Sequence, residues 1–205
     1  MEILFEDKNI IVAVKPVGVA SQECEGENMV SLIREITKGE IYPVHRLDTV
    51  TSGVMVYAKN KASAAFLSKQ ITENRFRKEY VAAVHGILDE KSGTMEDFLF
   101  KDSKKNKSFV VKKERKGVKR ALLSYNVIEE RESISLVKIL LHTGRTHQIR
   151  VQFSSRKHPL YGDGKYGASD NVPFIALFSQ SISFISPTDK KEVSFSAEVP
   201  DWKFR

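Results

Sequence analysis

Hydrophobic and polar residues along the chain alternate mostly with the period of a β-strand. Apolar, β-branched and aromatic side chains recur every second position or in short apolar runs, and turn residues separate these segments. The pattern therefore predicts a protein made mainly of strands. The predicted strands cover Asn9–Val14, Val54–Ala58, Arg77–His85, Gly93–Phe98, Lys107–Val111, Arg120–Ile128, Ser133–Leu141, Phe174–Phe184 and Glu192–Ala197.

Three segments have helical features instead. Apolar residues between 29 and 36 follow the i, i+3, i+4, i+7 rule, and Gly39 ends that helix. A second helix is predicted over 61–73, and a third begins after Gly144 with Thr146 as its N-cap. The inward residues of the second helix are predicted to be Ala62, Ala65 and Phe66.

Few helices and many consecutive strands place the chain in the α+β class. We expect a mixed, mainly antiparallel sheet flanked by a few helices. The chain has 205 residues without an internal repeat or a Gly/Ser/Pro-rich linker, which favours one domain over residues 1–205.

Composition excludes several classes of protein. No apolar run approaches the roughly 20 residues that span a bilayer, and Cys24 is the single cysteine. Acidic residues at positions 2, 6 and 7 stand where a signal peptide carries positive charge, so a cytoplasmic location is expected. The sequence contains no HExxH, CxxC or GxxxxGK[ST] motif, and the five histidines lack metal-ligand spacing. We therefore expect neither a metal nor a cofactor.

Positive charge is concentrated in one segment. Lys101–Arg120 contains ten Lys and Arg against two acidic residues, a balance of +8, whereas the whole chain carries +7 and the remainder therefore −1. Such a segment indicates a polyanion partner, or else a solvated lysine-rich hairpin that keeps the protein soluble. On charge alone both interpretations stay open. The lysines expected to contact phosphates are Lys104, Lys105, Lys112 and Lys113.

The stretch VHRLDTVTSG, which precedes an apolar strand, is a candidate site. Asp48 is its only carboxylate, and neighbouring Arg46 favours the ionised form, which suits nucleophilic attack or charge stabilisation. The alternative is a turn aspartate that binds backbone N–H groups.

Two further stretches contain candidate residues. Arg145 lies between a glycine turn and a predicted helix N-terminus, where it would clamp an anion or make a weak surface ion pair. Tyr80 lies in the strand RKEYVAAVHG and is either a core residue or a ring beside a flipped nucleobase.

Together, HRLDTVTSG, KEYVAAVHG, LLHTGRTHQIRVQF and HPLYGDGKYG resemble the motifs of RluA-type pseudouridine synthases, in the order of that family. The resemblance covers nearly the whole chain. It implies the pseudouridine synthase fold without the small N-terminal RNA-binding module that many members carry. It also implies a cofactor-free isomerase that acts on uridine in ribosomal or transfer RNA, as a monomer that needs no protein partner.

The resemblance also assigns roles to residues. Asp48 matches the catalytic carboxylate, Tyr80 the ring that contacts the target base, and Arg145 the basic partner of the aspartate. Arg150 and the basic segment are expected to contact RNA phosphates. Four residues match the loop that shapes the pocket and contacts RNA: His45, Arg46, Thr51 and Ser52.

Two other functions remain as alternatives. One is a non-catalytic RNA-binding or ribosome-assembly protein, which would not need Asp48, Tyr80 and Arg145 together. The other is a nucleoside or base-excision hydrolase, which would normally require a second carboxylate. Release of the C5 proton of uridine separates them, because only the isomerase exchanges it.

Overall fold

A computed structural model describes residues 1–202 and 204, which form eleven strands, three α-helices and a short 3-10 helix. The strands are β1 (Glu2–Glu6), β2 (Ile10–Lys15), β3 (Tyr42–Pro43), β4 (Ser52–Ala58), β5 (Arg77–His85), β6 (Ser92–Asp102), β7 (Lys107–Val111), β8 (Val118–Arg131), β9 (Ile134–Leu141), β10 (Leu177–Ile185) and β11 (Glu192–Ser196). The helices are α1 (Met29–Thr37), α2 (Lys61–Thr72), α3 (Gln148–Ser155) and the 3-10 helix (Gly164–Tyr166).

The chain divides into two compact units. The first contains residues 1–78 and 178–200, and the second contains residues 79–177 and the described part of 201–205. The α+β class and the mixed, mainly antiparallel sheet are confirmed. That residues 1–205 act as one catalytic domain stays a prediction.

The sheet of the first unit has the strand order β1-β2-β4-β10, with β3 paired to β4 and β11 to β10. Its pairs are antiparallel except β4 with β10, which run parallel. Every residue of β4 after Ser52 is buried, because side chains from both of its faces are covered. Leu67 of α2 and Phe184 of β10 pack with Val54 and Val56 in this core.

The second unit is an antiparallel sheet in the order β5-β9-β8-β6-β7. One face of β6 and β8 packs against α3 and the 3-10 helix. Leu99 and Ala121 from the strands contact Val151 and Tyr166 from these helices. This packing determines which side chains of β6 and β7 lie on the opposite face.

Two details of the helix predictions were wrong. The N-cap of α3 is His147 in the left-handed conformation, φ 54°, rather than Thr146. In α2 the buried residues are Ser63, Leu67 and Gln70 rather than Ala62, Ala65 and Phe66. Asn60 caps α2 by accepting a hydrogen bond from the Ser63 N–H group, which fixes the start of the helix. The stripe that faces the core includes Leu67, which packs with Val54 and Val56 of β4.

Within residues 1–202 and 204, no helix is long and apolar enough to cross a membrane. The same residues contain no group of three His, Cys, Asp or Glu side chains that could hold a metal ion.

Candidate active site

Asp48 lies in a tight turn that leads into β4. Its carbonyl oxygen accepts a hydrogen bond from the Thr51 N–H group at 2.9 Å. The two residues at the tip of the turn, Thr49 and Val50, are exposed, and Asp48 itself is half-buried. The Thr49 carbonyl accepts a bond of 2.9 Å from the N–H group of Gly18. The chain after Asp48 is therefore held from two sides while the turn faces solvent.

Lys15, the residue directly after the predicted strand Asn9–Val14, supports this turn through its side chain. Its fully buried ammonium donates to three carbonyl oxygens, those of Pro16 at 2.8 Å, Val19 at 2.7 Å and Thr49 at 3.2 Å. Burial lowers the pKa of Lys15 to about 8, and the negative charge of Asp48 opposes that shift. Lys15 thus links β2 to the residue directly after Asp48.

Ser21 holds the residue directly before Asp48. The buried Ser21 hydroxyl donates to the Leu47 carbonyl at 2.9 Å and accepts from the Leu47 N–H group at 3.3 Å. The Ser21 carbonyl in turn accepts from the Tyr57 hydroxyl at 3.0 Å. With Lys15 on the other side, the backbone on both sides of Asp48 is fixed by buried polar groups.

The small residues after Asp48 serve packing. Gly53 has φ 125°, and a Cβ there would lie 2.3 Å from the carbonyl oxygen of Ser179 in the parallel strand β10. Thr51 is only 2% exposed, and its hydroxyl has no hydrogen-bond partner among the described residues. The expectation that Thr51 contacts RNA is therefore corrected, because the side chain is shielded from solvent. Ser52 is a half-buried residue of β4, and its contact with RNA stays a prediction.

His45 and Arg46, neighbours in the sequence, differ in their surroundings. The Nε2 atom of His45 accepts a hydrogen bond from the Val56 N–H group at 3.2 Å, and the ring lies 5.4 Å from that of Phe76. Burial, assisted by the positive charge of Lys78, lowers the pKa of His45 to about 3. His45 is therefore neutral at physiological pH and supports β4, and its contact with RNA stays a prediction. Arg46 is exposed and keeps that assignment as a prediction.

Tyr80 lies in β5, opposite Ile139 of β9. It is 5% exposed, so any contact with a base involves only a small part of the ring. Ala82 and Val84 follow it on the same strand face and are fully buried. The packing of β5 thus holds Tyr80 in place. Its catalytic role stays a prediction.

Arg145 lies in the turn between β9, which ends at Leu141, and α3, which begins at Gln148. Its Nε donates to the carbonyl oxygen of Arg120 in β8 at 2.9 Å, and its backbone N–H group donates to Oε1 of Gln148 at 3.0 Å. The same Oε1 accepts from the Thr143 hydroxyl at 2.8 Å, while Nε2 of Gln148 donates to Leu122. Gln148, which sequence analysis overlooked, therefore fixes the turn that carries Arg145.

Arg145 and Tyr80 belong to the second unit and Asp48 to the first. The expected pairing of Arg145 with Asp48 stays a prediction.

Arg150 has a different role from the one expected. It is 4% exposed, and its guanidinium makes a bidentate ion pair with Asp163, with bonds of 2.6 and 2.8 Å. The ring of Tyr166 lies 5.1 Å from the same guanidinium. A buried cation bound to an internal carboxylate cannot reach an RNA phosphate. The expectation is corrected: Arg150 joins α3 to the loop that carries Asp163.

The basic segment forms the end of β6, all of β7 and the start of β8. The four lysines predicted to contact phosphates are exposed, and none makes a side-chain hydrogen bond or ion pair with another described residue: Lys104, Lys105, Lys112 and Lys113. The hairpin is anchored by Ser108, whose N–H group donates to the Tyr166 hydroxyl at 2.9 Å and whose hydroxyl donates to the Thr146 carbonyl at 2.7 Å. The backbone of the hairpin is thus anchored while these four lysine side chains are exposed. Their contact with RNA stays a prediction.

Comparisons with known proteins agree with these features. A model of the RNA pseudouridylate synthase family matches residues 9–155, more than half of the chain. An uncharacterized RNA pseudouridine synthase of Mycoplasma pneumoniae is 36% identical over 208 residues, which cover 97% of this chain and 67% of that protein. Ribosomal large subunit pseudouridine synthase C of Buchnera aphidicola is 32% identical over 216 residues, covering 99% and 68%.

The fold comparison leads to the same family. The solved structure of human RNA pseudouridylate synthase domain containing 1 has a TM-score of 0.81 at 26% identity, covering 96% of this chain and 82% of that one. The fold and the matched family are those of an isomerase that acts on RNA. The chain belongs to the RNA pseudouridylate synthase family, and within it to the RluA type.

Proposed function

We propose that this RNA pseudouridine synthase isomerises specific uridines of large-subunit ribosomal RNA, with Asp48 as the nucleophile and without a cofactor. The ribosomal substrate is supported by relatives named ribosomal large subunit pseudouridine synthases C and D. The observation that carries the catalytic assignment is the geometry around Asp48. Buried groups hold the residues on both of its sides, while the turn itself faces solvent.

A fixed carboxylate is suited to this reaction because catalysis depends on holding the reacting group in place before the substrate arrives. Lys15 adds an electrostatic component, since its buried ammonium and the Asp48 carboxylate attract each other. We therefore assign to this loop a carboxylate that is held in position for nucleophilic attack.

The reaction is an internal rearrangement. The bond between N1 of uracil and C1′ of ribose breaks, the uracil turns over and a bond forms between C5 and C1′. The proton on C5 passes to solvent, and N1 takes up a proton in its place. Nothing is oxidised and no group is lost, so the balance requires no cofactor. Asp48 attacks the nucleoside and is later displaced. Arg145 orients it, and Tyr80 contacts the base and takes part in removal of the C5 proton.

The target uridine must leave its stack to reach Asp48, at a cost of roughly a few kcal/mol. Contacts with phosphates offset that cost. Arg46 beside the Asp48 turn and the exposed lysines of the basic segment are the groups we assign to this binding.

The test is release of tritium from RNA labelled at C5 of uridine. Dialysed protein in the presence of a chelator is mixed with transcripts of large-subunit ribosomal RNA or of transfer RNA. We expect stoichiometric release from one or a few uridines of the ribosomal transcript and none from transfer RNA. Release only from transfer RNA would overturn the substrate, and dependence on an added metal or cofactor would overturn the chemistry.

A further inference from the structure

We propose that the outer face of the sheet formed by β6, β7 and β8 binds unpaired RNA nucleotides by stacking their bases on phenylalanine rings. This face, which we call the phenylalanine face, contains Phe98, Phe100 and Phe109. The inference rests on the proposed function in that it takes RNA as the substrate. It goes beyond it by naming a second contact, with bases that are not the reaction target.

Strand register places the three rings side by side. Phe100 of β6 lies opposite Phe109 of β7, and Phe98 of β6 lies opposite Val111 of β7. Directly opposed residues of an antiparallel pair point to the same face, as do residues two apart in one strand. On β8, Arg120 and Val118 are the partners of Phe98 and Phe100 and complete this patch.

The other face of the same strands is the packed one. Leu99 and Ala121, which alternate with the phenylalanine face, are buried against Val151 of α3 and Tyr166 of the 3-10 helix. The phenylalanine face is therefore turned away from these helices. Its three rings are each only half-buried. Aromatic residues clustered on the outer side of a sheet mark a binding surface more often than a solvated one.

Charge identifies the kind of partner. The guanidinium of Arg115 lies 5.3 Å from the centre of the Phe100 ring. The surrounding segment 101–120 has a balance of +8. A second copy of this chain would bring the same positive charge, so the partner is an anion.

Aromatic faces next to cations are the arrangement by which proteins bind single-stranded nucleic acid, with bases on the rings and phosphates on the cations. Duplex RNA hides the faces of its bases within the stack. The phenylalanine face is therefore matched to unpaired nucleotides rather than to a helix.

The experiment measures binding of the full chain to two probes, an unstructured oligouridine and an RNA duplex of equal length. The variant is Phe100→Leu with Phe109→Leu, which keeps apolar side chains but removes the rings. Stacking on one ring is worth roughly tenfold in affinity. We expect single-stranded binding to fall about tenfold or more, with duplex binding and the salt dependence of both unchanged.

Two controls keep this interpretation specific. Phe5→Leu removes a phenylalanine that is 38% exposed on β1, in the other unit, and should leave both affinities unchanged. Phe109→Tyr keeps a ring on the edge strand and should bind as the wild type does. Thermal unfolding of each variant is recorded, and Phe109→Leu alone is used if the double variant does not fold.

An unchanged affinity for oligouridine, or an equal loss of affinity for the duplex, would overturn the proposal. Either result would mean that RNA binding depends on phosphate contacts only. The proposed function fails separately. If the wild type releases no tritium from ribosomal RNA but the phenylalanine variant still loses single-stranded binding selectively, the phenylalanine face stands and the isomerase substrate is wrong.

Discussion

The Asp48 turn and the basic segment differ in how firmly the protein holds their charged groups. Around Asp48, buried donors and acceptors from Lys15 and Ser21 fix the backbone on each side of a single carboxylate. In the basic segment, many exposed lysine side chains lie on a hairpin whose backbone is anchored at Ser108 and at Asn106. A reacting group must be held within a fraction of an ångström, whereas binding of phosphates depends on the number of cations near them. The position of the Asp48 carboxylate must therefore be fixed more precisely than the positions of the lysines in the basic segment.

The largest loss of stability expected from a single substitution is at Arg150, the predicted RNA contact that lies in an internal ion pair. Arg150→Gln leaves Asp163 buried without its partner, and loss of one member of such a pair typically costs about 3–5 kcal/mol. Urea denaturation should show this loss. The slope of log RNA affinity against log salt should not change, because Arg150 contacts no phosphate. A normal stability with a reduced salt slope would return Arg150 to the RNA-binding surface.

Lys15→Met tests whether the buried amine supports the Asp48 turn. Three carbonyls lose a donor, so we expect a loss of about 3 kcal/mol in stability and a large fall in turnover. The lowered pKa of Lys15 also predicts a pH dependence, because the unfolded chain holds this proton up to about pH 10.4. From about pH 8 upward the unfolded state binds more protons than the folded one. The stability of the wild type relative to Lys15→Met should therefore rise with pH.

Denaturation of both proteins at pH 7 and at pH 9.5 measures this difference. A difference that is flat or falls with pH would mean that Lys15 keeps its proton as readily in the folded protein as in water.

The exposed lysines should affect binding and nothing else. We expect replacement of Lys104, Lys105, Lys112 and Lys113 by Gln to lower affinity about tenfold at moderate salt. The salt slope should fall by roughly 0.7 for each phosphate of single-stranded RNA that the variant no longer neutralises. Thermal stability and the single-turnover rate at saturating RNA should stay at wild-type values. An unchanged slope would show that this segment is a solvated surface.

The smallest effect should come from Ser21→Ala, which removes the hydroxyl that holds Leu47. We expect the single-turnover rate at saturating RNA to fall about fivefold, equivalent to ~1 kcal/mol, with RNA affinity unchanged. Ser179→Ala is the matched control, because its buried hydroxyl also donates to a carbonyl, that of Val54, but touches neither neighbour of Asp48. Both variants should lose similar stability. Ser21→Thr should restore the rate. Equal rates for the two alanine variants would show that Ser21 serves stability alone.

The strands could be predicted from the sequence because alternation is local. β5 and β7 have the predicted bounds, Arg77–His85 and Lys107–Val111, and α2 differs from its prediction only at the last residue. The start of α2 was predicted correctly, but the face that it buries was wrong, because that face depends on packing against the sheet, where Leu67 joins Val54 and Val56.

The supports of the site could not be predicted in the same way. Lysine at the end of a strand is normally exposed, and the burial of Lys15 follows from carbonyls as distant in sequence as Thr49. Arg150 resembled a surface cation because its partner Asp163 is thirteen residues away, beyond the end of α3. The motifs identified residues that could take part in chemistry. Only the tertiary structure shows which charged side chains are exposed and which bind other groups of the protein.

The most direct test of the account compares the wild type with Asp48→Asn in a single turnover, using saturating ribosomal RNA labelled with tritium at C5 of uridine. The amide has the size of the carboxylate but cannot act as a nucleophile or carry its charge. We predict that Asp48→Asn binds this RNA within about twofold of wild-type affinity, unfolds at a similar temperature and releases no measurable tritium. Release at more than a small fraction of the wild-type rate would contradict the assignment of Asp48 as the nucleophile.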